Sequence, residues 1–248
     1  MVTGFRKRLR APESMLGTFL KIPSTQPAEI LGTLGFDFAV IDEEHAPLNP
    51  ETTDAILLAC RAHGLAGLVR VRQPGDILRV LDSGADGVLV PHVTSPEVAQ
   101  QIVALARYGG GARGVSPTTR AGAFGGVPVA DHIRAQDAGC AVIAMIEDAE
   151  ALGRIDDIVA TEGLDAIFVG RADLAASMGL SAQDAALDRA VSEILAASRR
   201  AGVPALLVAG TRAEVASLRA LGATGFLAGS DQGFLRASAA LTRSDLVT

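Results

Sequence analysis

The sequence predicts an α/β fold closed as a (β/α)8 TIM barrel, with residues 1–248 forming a single domain. Three observations carry that prediction. Eight short apolar runs recur along the chain, and most are continuous rather than alternating, as parallel strands covered on both faces require. Segments with helix start and stop signals lie between them. The length, 248 residues, matches the roughly 250 that one such barrel needs. An open doubly wound sheet is the rival arrangement of the same elements.

In chain order the runs are Met15–Leu20, Phe36–Ile41, Ala66–Val71, Gly87–Val90, Ala141–Ile146, Ala166–Val169, Val203–Val208 and Gly225–Ala228. After the second, Asn49-Pro50-Glu51 supplies an N-cap, a proline at the first helical position and an acid in the first turn. That helix runs to Gly64, a C-terminal glycine able to turn left-handed. Ser95-Pro96-Glu97 repeats the grammar and leads to Ala106, and a third helix runs from Thr211 to Leu221 and stops at Gly222. Residues 107–139 form the longest stretch without a clear period, with Gly109-Gly110-Gly111, Gly125-Gly126 and Pro128. It reads as irregular chain, either a lid or interface arm or a plain surface excursion.

Composition excludes several classes. Hydrophobic residues make up 49% and charged residues 20%, unlike a disordered chain. The net charge is −6 and no basic run exceeds Arg6-Lys7-Arg8, so nucleic acid is not an expected partner. No apolar run approaches the roughly 18 residues of a membrane span, and the first residues lack the apolar core of a signal peptide. Cys60 and Cys140 show neither metal-ligand nor redox spacing. These features point to a soluble, cytoplasmic protein with no membrane partner.

In a barrel, the chemistry sits at the C-terminal ends of the strands. Four of those ends carry ionisable groups: Asp42-Glu43-Glu44-His45, Arg70 and Arg72, Glu147-Asp148, and Arg171 with Asp173. Glu147 and Asp173 are two carboxylates at the mouth on neighbouring strands, a donor set for a hard cation such as Mg²⁺ or Mn²⁺; as first-turn acids they equally suit helix starts. His45 lies three residues after Asp42, and a carboxylate that holds an imidazole suits it as a general base; a polar loop histidine has the same look. Arg70 interrupts an apolar strand and needs an anion, either a substrate oxygen or an internal partner such as Asp42 or Glu44. His92, after Pro91, is placed to line the mouth. Lysine is scarce: Lys7 and Lys21 stand against 20 arginines, and Lys21 is the one candidate for Schiff-base chemistry, which favours a metal as the electron sink. The glycine-rich piece around Gly229 invites a phosphate, but Asp231 would repel one.

The ordered segments Asp42-Glu43-Glu44-His45-Ala46-Pro47, Leu68-Val69-Arg70-Val71, Leu89-Val90-Pro91, Arg107-Tyr108 with Arg113-Gly114-Val115, Ile146-Glu147 and Phe168-Val169-Gly170-Arg171-Ala172-Asp173-Leu174 resemble the HpcH/HpaI family of class II, metal-dependent pyruvate aldolases. The resemblance spans Leu16 to Asp231. It implies a barrel whose C-terminal helix is exchanged between subunits, in a hexamer built as a trimer of dimers. It implies a divalent cation (Mg²⁺, Mn²⁺ or Co²⁺) on Glu147 and Asp173, Arg70 at the ketone and enolate oxygen, and His45 with Asp42 as the acid–base pair. The backbone around Gly170, Ala172 and Asp173 matches the cradle for the pyruvate carboxylate. The implied reaction is reversible cleavage of a 4-hydroxy-2-oxo acid to pyruvate or hydroxypyruvate and an aldehyde.

Two departures stand out. Met145 replaces a glutamine usual in the family, and Arg171 replaces a proline, which would add positive charge at the mouth and bias substrate choice. Two other classes compete. A citrate-lyase-β-like or malyl-CoA-lyase-like enzyme needs a coenzyme A pocket, for which eight Phe, one Tyr and no basic stretch are poor material. A non-catalytic barrel subunit would have no use for the retained carboxylates, Arg70 and His45.

Overall fold

The computed structural model describes residues 4–11 and 13–247; the two ends of the expected 1–248 domain lie outside them. The strands are β1 (Met15–Leu20), β2 (Phe38–Asp42), β3 (Ala66–Arg70), β4 (Gly87–Val90), β5 (Ala141–Ile146), β6 (Ala166–Val169), β7 (Ala205–Val208) and β8 (Gly225–Ser230). They pair in chain order, all parallel, and β8 returns to β1, so the sheet is a closed (β/α)8 TIM barrel rather than an open one. The helices are α1 (Phe5–Leu9), α2 (Gln26–Thr33), α3 (Pro50–Ala62), α4 (Ile77–Asp82), α5 (Pro96–Ala106), α6 (Val129–Gly139), α7 (Ile155–Val159), α8 (Arg171–Ser177), α9 (Ala185–Ala201), α10 (Arg212–Leu221) and α11 (Asp231–Leu246).

The cap signals act as read. Asn49 Oδ1 accepts from the Thr52 N–H at 2.8 Å, Ser95 caps α5 through the Val98 N–H, and Thr211 with Glu214 forms a reciprocal capping box. One segment departs from the reading. Residues 107–139 are not irregular throughout: Arg120–Gly125 is a short 3-10 turn kinked at Ala123 and Phe124, and α6 follows. The inward face of α6 is made of His132 and Gln136, one turn apart and buried, so its amphipathic stripe is polar and leaves no apolar period to detect.

Strand parity divides the core in two. Outward residues such as Val88, Val90, Val142 and Ala144 pack with Ala39, Ile41, Val69 and Leu207 beneath the helices. The opposite set, including Phe19, Phe38, Leu68, Leu89, Ile143, Met145, Phe168 and Leu227, fills the barrel interior. Gly17 is required there, since a Cβ would lie 2.4 Å from the Phe38 ring. At the strands' N-terminal ends α1 closes the floor. Phe5 and Leu9 join the interior cluster, and the Phe5 ring lies 5.6 Å from that of Phe38. Asp165, fully buried just before β6, takes Arg6 at 2.6 Å and Arg107 at 2.9 Å and so ties α1 to the barrel. Both cysteines are buried free thiols. Among the described residues, no helix is long and apolar enough to cross a membrane.

Candidate active site

The inward parity that fills the barrel continues past the apolar layers and ends in polar side chains. Asp42 closes β2 in register with Arg70 on β3; Glu147 follows β5 and Gly170 follows β6. All four therefore stand at the C-terminal mouth. Arg70 is 5% exposed. Its Nε and Nη2 donate to the two carboxylate oxygens of Asp42 at 2.9 and 2.7 Å, a bidentate fork. The Phe19 ring lies 5.0 Å from the guanidinium carbon. Nη1 is left facing Met145 Sδ at 4.0 Å. Burial works to raise the Asp42 carboxyl, but Arg70, the His45 N–H and Lys21 outweigh it and hold Asp42 below its ordinary range.

Around this pair sit the loop residues. Lys21 Nζ lies 3.1 Å from Asp42 Oδ2, so the one lysine within reach is engaged by a carboxylate. Glu44 places Oε2 3.4 Å from Arg70 Nε and 3.7 Å from His45 Nε2, and Oε1 3.7 Å from His92 Nε2. Glu147 is 3% exposed and accepts the His92 backbone N–H on Oε1 at 2.9 Å. Burial pushes its carboxyl above the usual range; the His92 N–H and charge oppose this, and the charges of Glu44 and Asp173 add to it. His92 Nδ1 lies 3.0 Å from Asp148 Oδ2. That hydrogen bond raises the imidazole pKa, as do the neighbouring carboxylates, against the effect of burial.

The structure gathers Asp42, Glu44, Arg70, Glu147, His92 and Asp148 at one mouth. Asp173, in the first turn of α8, is exposed and close enough to act on Glu147 through its charge. Several expectations change in detail. Asp42 holds the His45 backbone N–H at 3.1 Å rather than its imidazole, which faces Glu44. The Gly170 N–H donates to the Ile146 carbonyl, which leaves the amides of Ala172 and Asp173 for the expected carboxylate cradle. Arg171 turns away: Asp188 on α9 takes its guanidinium at 2.7 Å and the Ala182 carbonyl accepts at 3.1 Å, so its charge is neutralised outside the mouth. Arg72 donates to the Glu43 and Leu48 carbonyls and staples the β2 loop. After β8, Asp231 accepts from the Lys21 and Ile22 amides, so a carboxylate already fills the place considered for phosphate.

Sequence reasoning passed over His92 and Asp148 as possible cation ligands. His92 has φ +56, uncommon outside glycine, and that turn brings a residue of the β4 loop against the β5 end. The donor atoms of His92, Glu147 and Asp148 all lie within 4.8 Å of one another. The residues fit a cation on a further count: a Cβ at Gly170 would stand 2.8 Å from Glu147 Oε2, so the glycine leaves that oxygen a clear approach.

Comparison with known proteins gives the chain's relatives. The family model for HpcH/HpaI aldolase/citrate lyase matches residues 15–237. A 5-keto-4-deoxy-D-glucarate aldolase of Klebsiella pneumoniae is 35% identical over 239 residues, 94% of this chain and 93% of its own. A solved HpcH/HpaI aldolase/citrate lyase family protein of Burkholderia cenocepacia is 32% identical, with a TM-score of 0.92 and 98% of each chain covered. The solved citrate synthase SbnG is 33% identical, with a TM-score of 0.88 over 99% of this chain and 98% of that one.

Proposed function

This chain belongs to the HpcH/HpaI aldolase/citrate lyase family, and from that premise we propose that it is a divalent-metal-dependent aldolase, reversibly cleaving 4-hydroxy-2-oxo acids to pyruvate or hydroxypyruvate and an aldehyde. The observation that carries the proposal is the juxtaposition of a rigidly held guanidinium, Arg70, with the buried carboxylate Glu147 at the barrel mouth. The relatives' names support this substrate class: numbered from its keto end, a 5-keto-4-deoxyglucarate is a 3-deoxy-4-hydroxy-2-oxo acid.

Glu147 and Asp173 would hold the cation, for which Mg²⁺, Mn²⁺ and Co²⁺ are the candidates. When bound, it supplies Lewis acidity to a keto acid. Arg70 does its part through Nη1, the nitrogen that Asp42 leaves free: it meets the negative charge growing on the ketone oxygen as the carbon–carbon bond breaks. Its position is set beforehand by Asp42 and Phe19, so little reorganisation is needed at that moment. The amides of Ala172 and Asp173 bind the substrate carboxylate. His45 Nε2, beside Glu44, takes the proton that leaves the 4-hydroxyl as the C3–C4 bond breaks and returns it to C3 of the enolate so formed, which gives pyruvate; synthesis reverses both transfers. Phe234, Leu235 and Leu241 are exposed along α11, and in this reading a second copy covers them in a hexamer.

The test is pyruvate release, coupled to lactate dehydrogenase, from 5-keto-4-deoxyglucarate and from simpler 4-hydroxy-2-oxo acids, with and without EDTA. Chelator-sensitive pyruvate supports the proposal. Metal-independent release, or none from any member of the class, refutes it. The likeness to a citrate synthase favours a second reading, citrate formation, for which the same preparation can be assayed.

A further inference from the structure

We infer that His92 gives the cation site a nitrogen donor, so that the site takes a borderline transition cation (Mn²⁺, Co²⁺ or Zn²⁺) in preference to Mg²⁺. The inference rests on the proposal that Glu147 is a metal ligand; its donor set is His92, Glu147 and Asp148, a group that does not include Asp173.

The first argument is backbone geometry. His92 adopts φ +56, and its own N–H is bonded to Glu147 Oε1 at 2.9 Å. The His92 side chain is 63% exposed, with its ring edge beside the carboxylates at the β5 end. Nδ1 lies 3.5 Å from Glu147 Oε1 and 3.0 Å from Asp148 Oδ2. Metal–ligand bonds of about 2.1 Å place neighbouring donors about 3.0 Å apart in an octahedron and about 3.4 Å apart in a tetrahedron. The observed separations are short enough for these side chains to share one ion, the 3.0 Å one being equally that of a hydrogen bond.

The second argument is independent of the ring. The Glu147 side chain is 3% exposed, yet among the described residues only Oε1 accepts a hydrogen bond. Oε2 is kept clear by Gly170, where a Cβ would stand 2.8 Å away. A buried carboxylate with one oxygen unbonded and its approach unobstructed is suited to a ligand. Glu44 adds charge: its Oε1 is 3.7 Å from His92 Nε2, and its Oε2 is buried without a hydrogen-bond partner. Three carboxylates around one imidazole favour a dication there.

The third argument is donor chemistry. Carboxylate and water suit Mg²⁺, whereas imidazole suits later divalent metals, whose affinities rise along the first transition row. A nitrogen donor shifts the balance toward the transition cations without a change in the carboxylates. The competing explanation is that Nδ1 serves only as a hydrogen-bond donor to Asp148.

Metal-free full-length protein titrated with Mg²⁺, Mn²⁺ and Co²⁺ by calorimetry distinguishes these, together with pulsed electron paramagnetic resonance of the Mn²⁺ form. The decisive variant is His92→Asn, since asparagine tolerates the left-handed backbone but lacks the ring. We expect nitrogen coupling in the wild type, its loss in His92→Asn, and Co²⁺ binding weakened about 10–100-fold with Mg²⁺ binding changed by no more than roughly threefold. No nitrogen coupling in the wild type, or unchanged Co²⁺ affinity in His92→Asn, overturns the inference. Glu147→Gln separates the two levels: if it leaves binding of every cation intact, the proposed metal site itself fails.

Discussion

Gly170→Ala isolates the steric condition on which the site depends. The glycine has φ −80 and ψ 75, which alanine can adopt, so the substitution introduces no left-handed strain. What it introduces is a methyl group 2.7 Å from Met145 Cε, 2.8 Å from Glu147 Cβ and 2.8 Å from Glu147 Oε2. Met145 Cε ends a flexible chain and can swing aside. Glu147 Cβ cannot, so the carboxylate must move by about 0.6 Å to restore an ordinary contact near 3.4 Å. Metal–ligand distances tolerate only about 0.2 Å. The expected result is cation binding weakened about 10–100-fold and pyruvate release reduced at subsaturating metal. Overpacking should cost about 1–3 kcal/mol of stability, a fall in Tm of a few degrees. Calorimetric titration with Mn²⁺, with circular dichroism as the check on folding, reads the outcome. Native metal affinity in a well-folded Gly170→Ala protein would mean that Glu147 Oε2 is not directed at a cation, and the steric reasoning would be wrong.

Other outcomes follow from the same geometry. Arg70→Lys keeps a charge but loses the bidentate fork on Asp42, and kcat should fall about 10²–10³-fold in the coupled pyruvate assay. Arg70→Ala leaves Asp42, fully buried, with Lys21 as its remaining cationic partner, and thermal unfolding should show a loss of about 3–5 kcal/mol. EDTA dialysis should abolish turnover, and added divalent cation should restore it; persistence of full activity after exhaustive chelation would refute metal dependence. Burial pushes the Asp86 carboxyl up to about 6, partly offset by the Gly67 N–H. The folded state then holds this proton more tightly than the unfolded chain, so its contribution to stability is full below about 3.8 and is lost as pH rises through about 6. Asp86→Asn, which keeps an acceptor for Gly67, should remove that slope and unfold at a higher denaturant midpoint than wild type at pH 7.5.

The strands were legible because burial on two faces writes continuous apolar runs. Four of the eight, β1, β4, β5 and β6, begin and end where the sequence places them. The misjudged limits have physical reasons. Phe36 and Val203 are apolar but only partly buried outside the sheet, so each lengthened a predicted strand at its start. At the other end β2 runs on into Asp42, whose charge looked like a loop signal but is met inside the sheet by Arg70. The active-site side chains Asp42, Arg70 and Glu147 were findable because charge at the end of an apolar strand has few structural uses. His92 was placed at the mouth by its position after Pro91, but its contact with Glu147 and Asp148 was not legible, since its positive φ depends on the β4 and β5 ends being neighbours, which no local pattern encodes. Arg171 was misplaced for a similar reason: its partner, Asp188, lies 17 residues away on a helix whose docking the sequence does not announce.

The stopper formed by Phe5 and Leu9 beneath the barrel has a consequence for how such an enzyme diversifies. With the lower opening plugged and the interior packed by Phe19, Phe38, Met145 and Phe168, a larger reactant cannot be accommodated by deepening the chamber. Room can grow only outward, through the loops that ring the upper rim. New reactant preferences can therefore be grafted there while the bond-breaking groups beneath stay as they are, and the thermodynamic integrity of the scaffold is not staked on each trial.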